Sequence, residues 1–219
     1  MMTSNNRYLK SIGRCNFFSS TYTEIAMKNY FDAKKCFELV KDNAVENVAD
    51  NIAFKQCILV SIVFSAMAIE AFVNDYLLVI YGRKKFEKEF KYVPTKEKIK
   101  HIGEKIFNVA YDEKCLLHQK VSKLFKIRNS FVHCKSSYAY LDNANVENSI
   151  EDDCARDLRN AYDGLLAIKL VSDFFDSNDI NLNANFNLLA IKHIELWTQK
   201  DAYKKDLCCE LGIEIPSIK

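Results

Sequence analysis

Arg128 and His133 stand five residues apart in the segment Arg128-Asn129-Ser130-Phe131-Val132-His133. Histidine is the side chain whose ordinary pKa suits proton transfer near neutrality. Arginine is permanently charged, and its planar fork of donors must be answered wherever it leaves water. Leu117, Val121 and Leu124 form an apolar helical seam that calls for a hydrophobe at position 128, where Arg128 stands instead. A guanidinium there needs a carboxylate, a phosphate or a cleft between subunits. On an ideal helix an i, i+5 pair lies roughly 140° apart, so the two residues do not share a face. They meet if the helix ends or widens near Phe131, or if two copies of the segment face each other across a dimer. The plainer reading is a structural ion pair for Arg128, with His133 close to the last helix carbonyls.

The elements that must position these residues are helical. Gly (5) and Pro (2) are too scarce for the many turns of a β-rich chain of 219 residues. Residues 1–20 read as a polar arm. Thr21 and Glu24 have the spacing of a capping box, followed by Ala26, Tyr30, Ala33, Phe37 and Val40 at helical period to about residue 42. A second helix is expected over about 50–81, apolar nearly all round between Cys57 and Phe72 and therefore the most buried element, with Gly82 ending it. Residues 83–94 read as a basic link with interleaved aromatics, Phe86, Phe90 and Tyr92. Pro94-Thr95 opens a third helix with Ile99, Ile102 and Ile106 inward, and Asp112 caps the fourth, which carries Arg128. A polar stretch, 134–149, separates it from a fifth helix capped by Ser149, whose inward stripe is Leu158, Ala161, Leu165, Ile168 and Phe175. A last helix over about 186–205 carries Phe186, Leu189, Ala190 and Trp197. The expected fold is all-α: four to five main helices over 21–180, with a C-terminal helical extension over 181–219.

Charge is unevenly spread. Residues 82–135 carry 15 basic and 6 acidic side chains, whereas residues 136–219 carry 8 basic and 15 acidic. A basic central third suits a polyanion surface, because Lys and Arg displace counterions from phosphates; solvated helix faces carry lysines equally well. The eight cysteines show no zinc-like spacing, so they read as reduced thiols in a cytoplasmic protein, with no metal and no cofactor. The uncharged apolar run Gln56 to Ile69, 14 residues, is short for a bilayer, and no membrane partner is expected. His101, His118 and His193 read as single surface or packing histidines, and Cys208-Cys209 receives no role.

The segment Arg128 to His133 resembles the Arg-x4–6-His motif of the HEPN superfamily, in which the residue after the arginine is usually polar, as Asn129 is. Ser65-Ala66-Met67-Ala68-Ile69-Glu70-Ala71-Phe72-Val73-Asn74 is similar to the second-helix pattern of several branches of that family, where an acid interrupts an apolar helix. The resemblance covers about residues 20–180. It implies a HEPN-like helical bundle and, in many members, a metal-independent endoribonuclease that works as a homodimer with a composite cleft. Carried onto this chain, His133 is the general acid/base, Arg128 stabilises charge on the phosphoryl oxygens, and Asn129 positions the phosphate or the imidazole. Glu70 is the supporting acid, expected to be buried and paired with an arginine such as Arg128. Lys84, Lys85, Lys88, Lys126 and Lys135 are the expected RNA-binding lysines. The resemblance further implies a toxin or antiviral effector, with an antitoxin or defence-system protein as partner. A departure lies at Lys135: HEPN toxins modified by a nucleotidyltransferase partner carry a tyrosine there, so that control is not expected. A non-catalytic module that binds a protein or nucleotide is the alternative reading.

Overall fold

A helix that is apolar on nearly every face can persist only if other elements cover it. The structure, a computed structural model, describes residues 17–42, 48–132, 146–179 and 202–212, and builds around such a helix. Among these residues the chain is all-α, with no strand. The helices are α1 (Phe17–Asp42), α2 (Val48–Glu89), α3 (Thr95–His101), α4 (Leu116–Val132), α5 (Val146–Asn178) and α6 (Ala202–Glu210). On α2, Phe54, Ile58, Ile62, Ala66, Ile69, Phe72, Val73, Tyr76 and Leu77 are all buried. α1, α3, α4 and α5 pack against it. By length and composition α2 could also cross a membrane, with a mean hydropathy of 2.0 over its most apolar window, half of which is buried in the protein. Counting past Glu70 makes the apolar stretch longer than the uncharged run Gln56 to Ile69 suggests.

α1 begins at Phe17, one turn before the expected start, and Ser19 is buried. Thr21 and Glu24 therefore lie inside the helix and not at its cap. The extra turn has an aromatic anchor: Tyr22 meets Phe64 of α2 edge-on at 5.5 Å, and Phe18 lies 6.0 Å from Tyr22. Thr23 Oγ1 donates back to the Ser19 carbonyl at 2.9 Å.

Gly82 does interrupt α2, with φ +74° and ψ 162°, a conformation that favours glycine. The 83–94 link is nevertheless helical as far as Glu89. Phe86 and Phe90, one turn apart, bury themselves, while Arg83 pairs with Glu87 at 2.8 Å on the outer face. Tyr81 and Phe90 stack at 5.2 Å, and His101 joins them, its Nε2 hydrogen-bonded to Tyr81 Oη at 2.9 Å. His101 is thus partnered, and burial holds its pKa below the ordinary imidazole value.

α3 passes into a π-turn, Ile102–Ile106; Ile99 and Ile102 are fully buried and Ile106 partly. Asp112 does not cap α4. Its Oδ1 accepts from Lys114 N at 2.8 Å in a turn that precedes the helix, and Cys115 Sγ accepts from His118 N at 3.4 Å in the capping position. α5 already runs at Val146, earlier than the expected Ser149 start, and buries Ala161, Leu165, Ile168 and Phe175, with Leu158 partly covered. Phe175 meets Phe72 at 4.7 Å and Tyr76 at 4.9 Å, both edge-on. Of the expected C-terminal helix, residues 186–201, with Phe186, Leu189, Ala190 and Trp197, lie outside the described residues. α6 follows, burying Leu207 and Cys208, and Tyr162 of α5 donates to the Glu210 carbonyl at 3.0 Å. Cys208 is a core thiol, its pKa pushed up to about 11 by burial, whereas Cys209 is exposed.

α4 and α5 are joined by a charge cluster. Lys120 and Lys123 both donate to the Asp163 carboxylate, at 2.5 and 2.8 Å, and Asp163 is 8% exposed. Burial alone would push this carboxyl up, yet the two lysine hydrogen bonds hold it below its ordinary value. Asp163→Asn should therefore cost about 1–2 kcal/mol near neutral pH, a figure discounted for the solvent reaching Lys123. A lowered folded pKa gives stability that is present above the unfolded value of about 3.9 and lost as pH falls through the folded one. Urea midpoints should show a constant gap between variant and wild type down to about pH 5, closing below about pH 4. A gap that persists in strong acid would refute this account.

Candidate functional site

Three apolar residues of α4, Leu117, Val121 and Leu124, face the core as the seam requires. One turn further, Arg128 reaches the edge of that core with its side chain 24% exposed. Its Nη2 donates to Glu70 Oε2 at 2.9 Å and its Nη1 to Asn129 Oδ1 at 3.1 Å, while the guanidinium carbon lies 5.4 Å from the Phe125 ring centroid. Nε is buried and finds no partner among the described residues. The carboxylate that answers Arg128 is thus Glu70, across the helix interface. Glu70 itself is not buried: its side chain is 40% exposed, because α2 turns this position toward the rim. Ser130 takes no part, its hydroxyl donating to the Ile127 carbonyl at 2.7 Å.

Behind the pair lies a cation that the sequence does not single out. Lys98 is 2% exposed, its Nζ donates to Asn74 Oδ1 at 2.7 Å, and it stands 5.4 Å from the Phe86 ring centroid. Burial lowers its pKa, and the charge of Glu70 acts in the opposite direction. Glu70 therefore accepts from the Arg128 guanidinium directly and acts on the Lys98 amine through its charge alone.

In front of the pair is a groove of about 420 Å³ between α4 and the turn joining α2 to α3. Glu70, Arg128, Asn129 and Lys126 line it together with Lys91, Lys96, Tyr92, Thr95, Ser122 and Phe125. Four cations thus share the groove with one carboxylate. Ser122 Oγ and Arg128 Nε are buried beneath the lining without a partner among the described residues. A second cavity, of about 430 Å³, lies where Tyr111 and Leu117 meet Leu170 and Phe174. Its charged lining residues are the acids Asp112 and Asp173, which does not suit an anion.

The structure thus brings Arg128, Asn129, Glu70 and Lys126 to one groove. Lys84, Lys85 and Lys88 are exposed on the segment after Gly82 and do not line it. Lys85 is engaged locally, 3.8 Å from Glu89 and 4.2 Å from the Tyr81 ring centroid. His133 and Lys135 lie outside the described residues. α4 is α-helical, without widening, through Phe131 and Val132, the last described residues before His133. Lys91, Lys96, Thr95 and Ser122 are groove residues that the pattern did not reveal. Pro94 marks the turn between Lys91 and Lys96, but nothing local says that this turn packs beside residues 122–129. Among the described residues no group of three or more His, Cys, Asp or Glu could hold a metal.

Compared with protein-family models, with curated proteins and with solved structures, the chain matches none of them.

A half-exposed pair such as Glu70 and Arg128 should couple weakly. A double-mutant cycle on Glu70→Ala and Arg128→Ala should give about 0.5–1 kcal/mol of interaction in folding stability. A coupling above about 3 kcal/mol would mean a desolvated pair and a closed groove.

Proposed function

We propose that the chain is a metal-independent endoribonuclease of HEPN type, with Arg128 and His133 as its catalytic residues. One observation carries the proposal: an arginine that breaks the apolar seam of α4 lines a groove with Lys91, Lys96 and Lys126, where one carboxylate opposes four cations. That lining suits a phosphodiester better than a neutral or cationic ligand.

In this reading the RNA phosphate enters beside Arg128. His133 takes the proton of the adjacent 2′-hydroxyl, the 2′-oxygen bonds to phosphorus, and the bond from phosphorus to the 5′-oxygen breaks. His133 passes the proton it took to the leaving 5′-oxygen, and the products are a 2′,3′-cyclic phosphate and a 5′-hydroxyl. Arg128 stabilises the charge that builds on the phosphoryl oxygens. Asn129 positions the phosphate or the imidazole and already accepts from Arg128. Glu70 holds the guanidinium from behind, and no metal or other cofactor has a step to perform. The proposal includes a homodimer, the commonest assembly, for which the exposed Phe131 and Val132 at the end of α4 supply apolar surface. It also includes a cytoplasmic toxin or defence effector, held in check by an antitoxin or defence-system partner and without a membrane role.

A labelled transfer RNA incubated with the purified protein in EDTA tests the activity. His133→Ala should lower cleavage by about 10²–10⁴-fold and melt like the wild type. Arg128→Ala should do the same to cleavage and also lose some stability, since Glu70 loses its partner. A His133→Ala protein that cuts RNA at the wild-type rate would refute the catalytic assignment. Binding without any cleavage by the wild type would favour the alternative, a non-catalytic module on the same fold.

The groove and the outer lysines can be told apart by salt. Glutamate at Lys91, Lys96 and Lys126 together should weaken RNA binding and flatten the slope of log K against log salt. Glutamate at Lys84, Lys85 and Lys88 should change the slope less. If the second set dominates, the RNA track runs outside the groove.

A further inference from the structure

Of the three aromatics in the basic segment after Gly82, two are buried and one is not. Phe86 and Phe90 are 9% and 6% exposed, whereas Tyr92 is 87% exposed. A tyrosine ring gains from burial, so a ring left this open beside a groove is available to something that lies flat on it. The turn that carries it is pinned. Lys91 N donates to the Phe86 carbonyl at 3.0 Å, Val93 N to the Phe90 carbonyl at 3.0 Å, and Pro94 fixes its own φ at −57°. Tyr92 lines the Arg128 groove, and Lys91 Nζ stands 5.3 Å from its ring centroid. Lys91 lies over one face of the ring, and with Tyr92 87% exposed ring surface remains open beside that cation; the two match the two halves of a nucleotide, base and phosphate.

We propose that Tyr92 is a nucleobase-stacking residue that makes the groove take an unpaired nucleotide of single-stranded RNA. The proposal rests on the reading of the groove as an RNA site. Bases inside a duplex are already stacked on their neighbours, so only a splayed base can lie on Tyr92. Lys91 then meets the phosphate of that nucleotide, and Arg128 the phosphate further along the groove. Stacking tolerates any base because each has a π-face, so Tyr92 selects for strandedness and not for sequence.

The test uses a short single-stranded oligonucleotide with 2′-O-methyl riboses, which cannot be cut by 2′-oxygen attack, the same strand with abasic positions, and its duplex. Tyr92→Ala should weaken binding of the single strand about tenfold or more. Tyr92→Phe should bind it like the wild type. The salt slope of Tyr92→Ala should not change, since no phosphate contact is lost, and its affinity for the abasic strand and the duplex should match the wild type. Tyr92→Ala binding the single strand within about twofold of wild type overturns the stacking role, and an equal loss on the abasic strand overturns it as well. Because the strand cannot be cut, the result is independent of catalysis. Loss of binding in Tyr92→Ala with no RNA cleavage by the wild type upholds stacking and fails the nuclease. Cleavage with unchanged Tyr92→Ala binding does the reverse. A wild-type chain that binds none of the three overturns the stacking role, and the cleavage assay on unmodified RNA then decides the nuclease by itself.

Discussion

The burial of α2 is the constraint from which the rest of the fold follows. A helix with Phe54, Ile58, Ile62, Ile69, Phe72, Tyr76 and Leu77 in its core cannot hide them behind one neighbour. α1 and α5 lie along it, while α3 and α4 cover what remains. Close approach is needed where three helices converge. A Cβ at Gly164 of α5 would stand 3.2 Å from both Leu124 Cδ1 of α4 and Ser65 Oγ of α2, tighter than ordinary contact. Glycine at this position lets α5 sit against both partners at once. Asp163, beside it, ties α5 to α4 through Lys120 and Lys123. The placement of α4, and with it Arg128, is therefore set by packing well away from the groove.

The groove lies where that cover runs out. Ile69 is buried and Glu70 is not, so the rim of the core passes between adjacent residues of α2. An arginine one turn beyond an apolar seam can reach the same rim, with its guanidinium over the Phe125 ring and bonded to Glu70 and Asn129. The pair costs less than a fully buried one would, because solvent reaches both partners. Lys98 is the costlier member. Its ammonium is desolvated and donates to Asn74, with the charge of Glu70 favouring its charged form. Glu70 thus holds the Arg128 guanidinium by a hydrogen bond and favours the charged form of Lys98.

Long-period patterns were legible in the sequence, and local signals misled where tertiary contacts outweighed them. The stripes of α4 and α5 read correctly because each is a sustained apolar face. The Thr21–Glu24 capping pattern did not mark a helix start, since Tyr22 against Phe64 extends α1 by a turn. The basic run after Gly82 looked like a link, but Phe86 and Phe90 at helical spacing had core to reach. Asp112 carried a cap-forming side chain and used it on an earlier turn. At the site, Arg128 announced itself by breaking a pattern. Lys91 and Tyr92 stood out only as part of a basic-aromatic stretch and Lys96 not at all, because what makes them groove residues is a turn packing against a helix thirty residues on in the chain.

The regularity of α4 bears on how the proposed chemistry would be assembled. Helical geometry persists through Val132, and on such a helix position 133 is about 7.5 Å along the axis and roughly 140° around from position 128. Through Val132 the helix shows no widening that would close that angle, and His133 lies beyond the described residues. In the proposed nuclease a His133 that continued the helix would leave the phosphate beside Arg128 on a different face from the imidazole. A two-fold axis removes the difficulty, because the histidine of one copy can approach the arginine of the other without bending either helix. Phe131 and Val132, exposed between the two positions, are apolar surface that such pairing would cover. If the proposed nuclease is a homodimer, pairing would be part of how its active site is built, with Arg128 in its groove as the part that each chain supplies by itself.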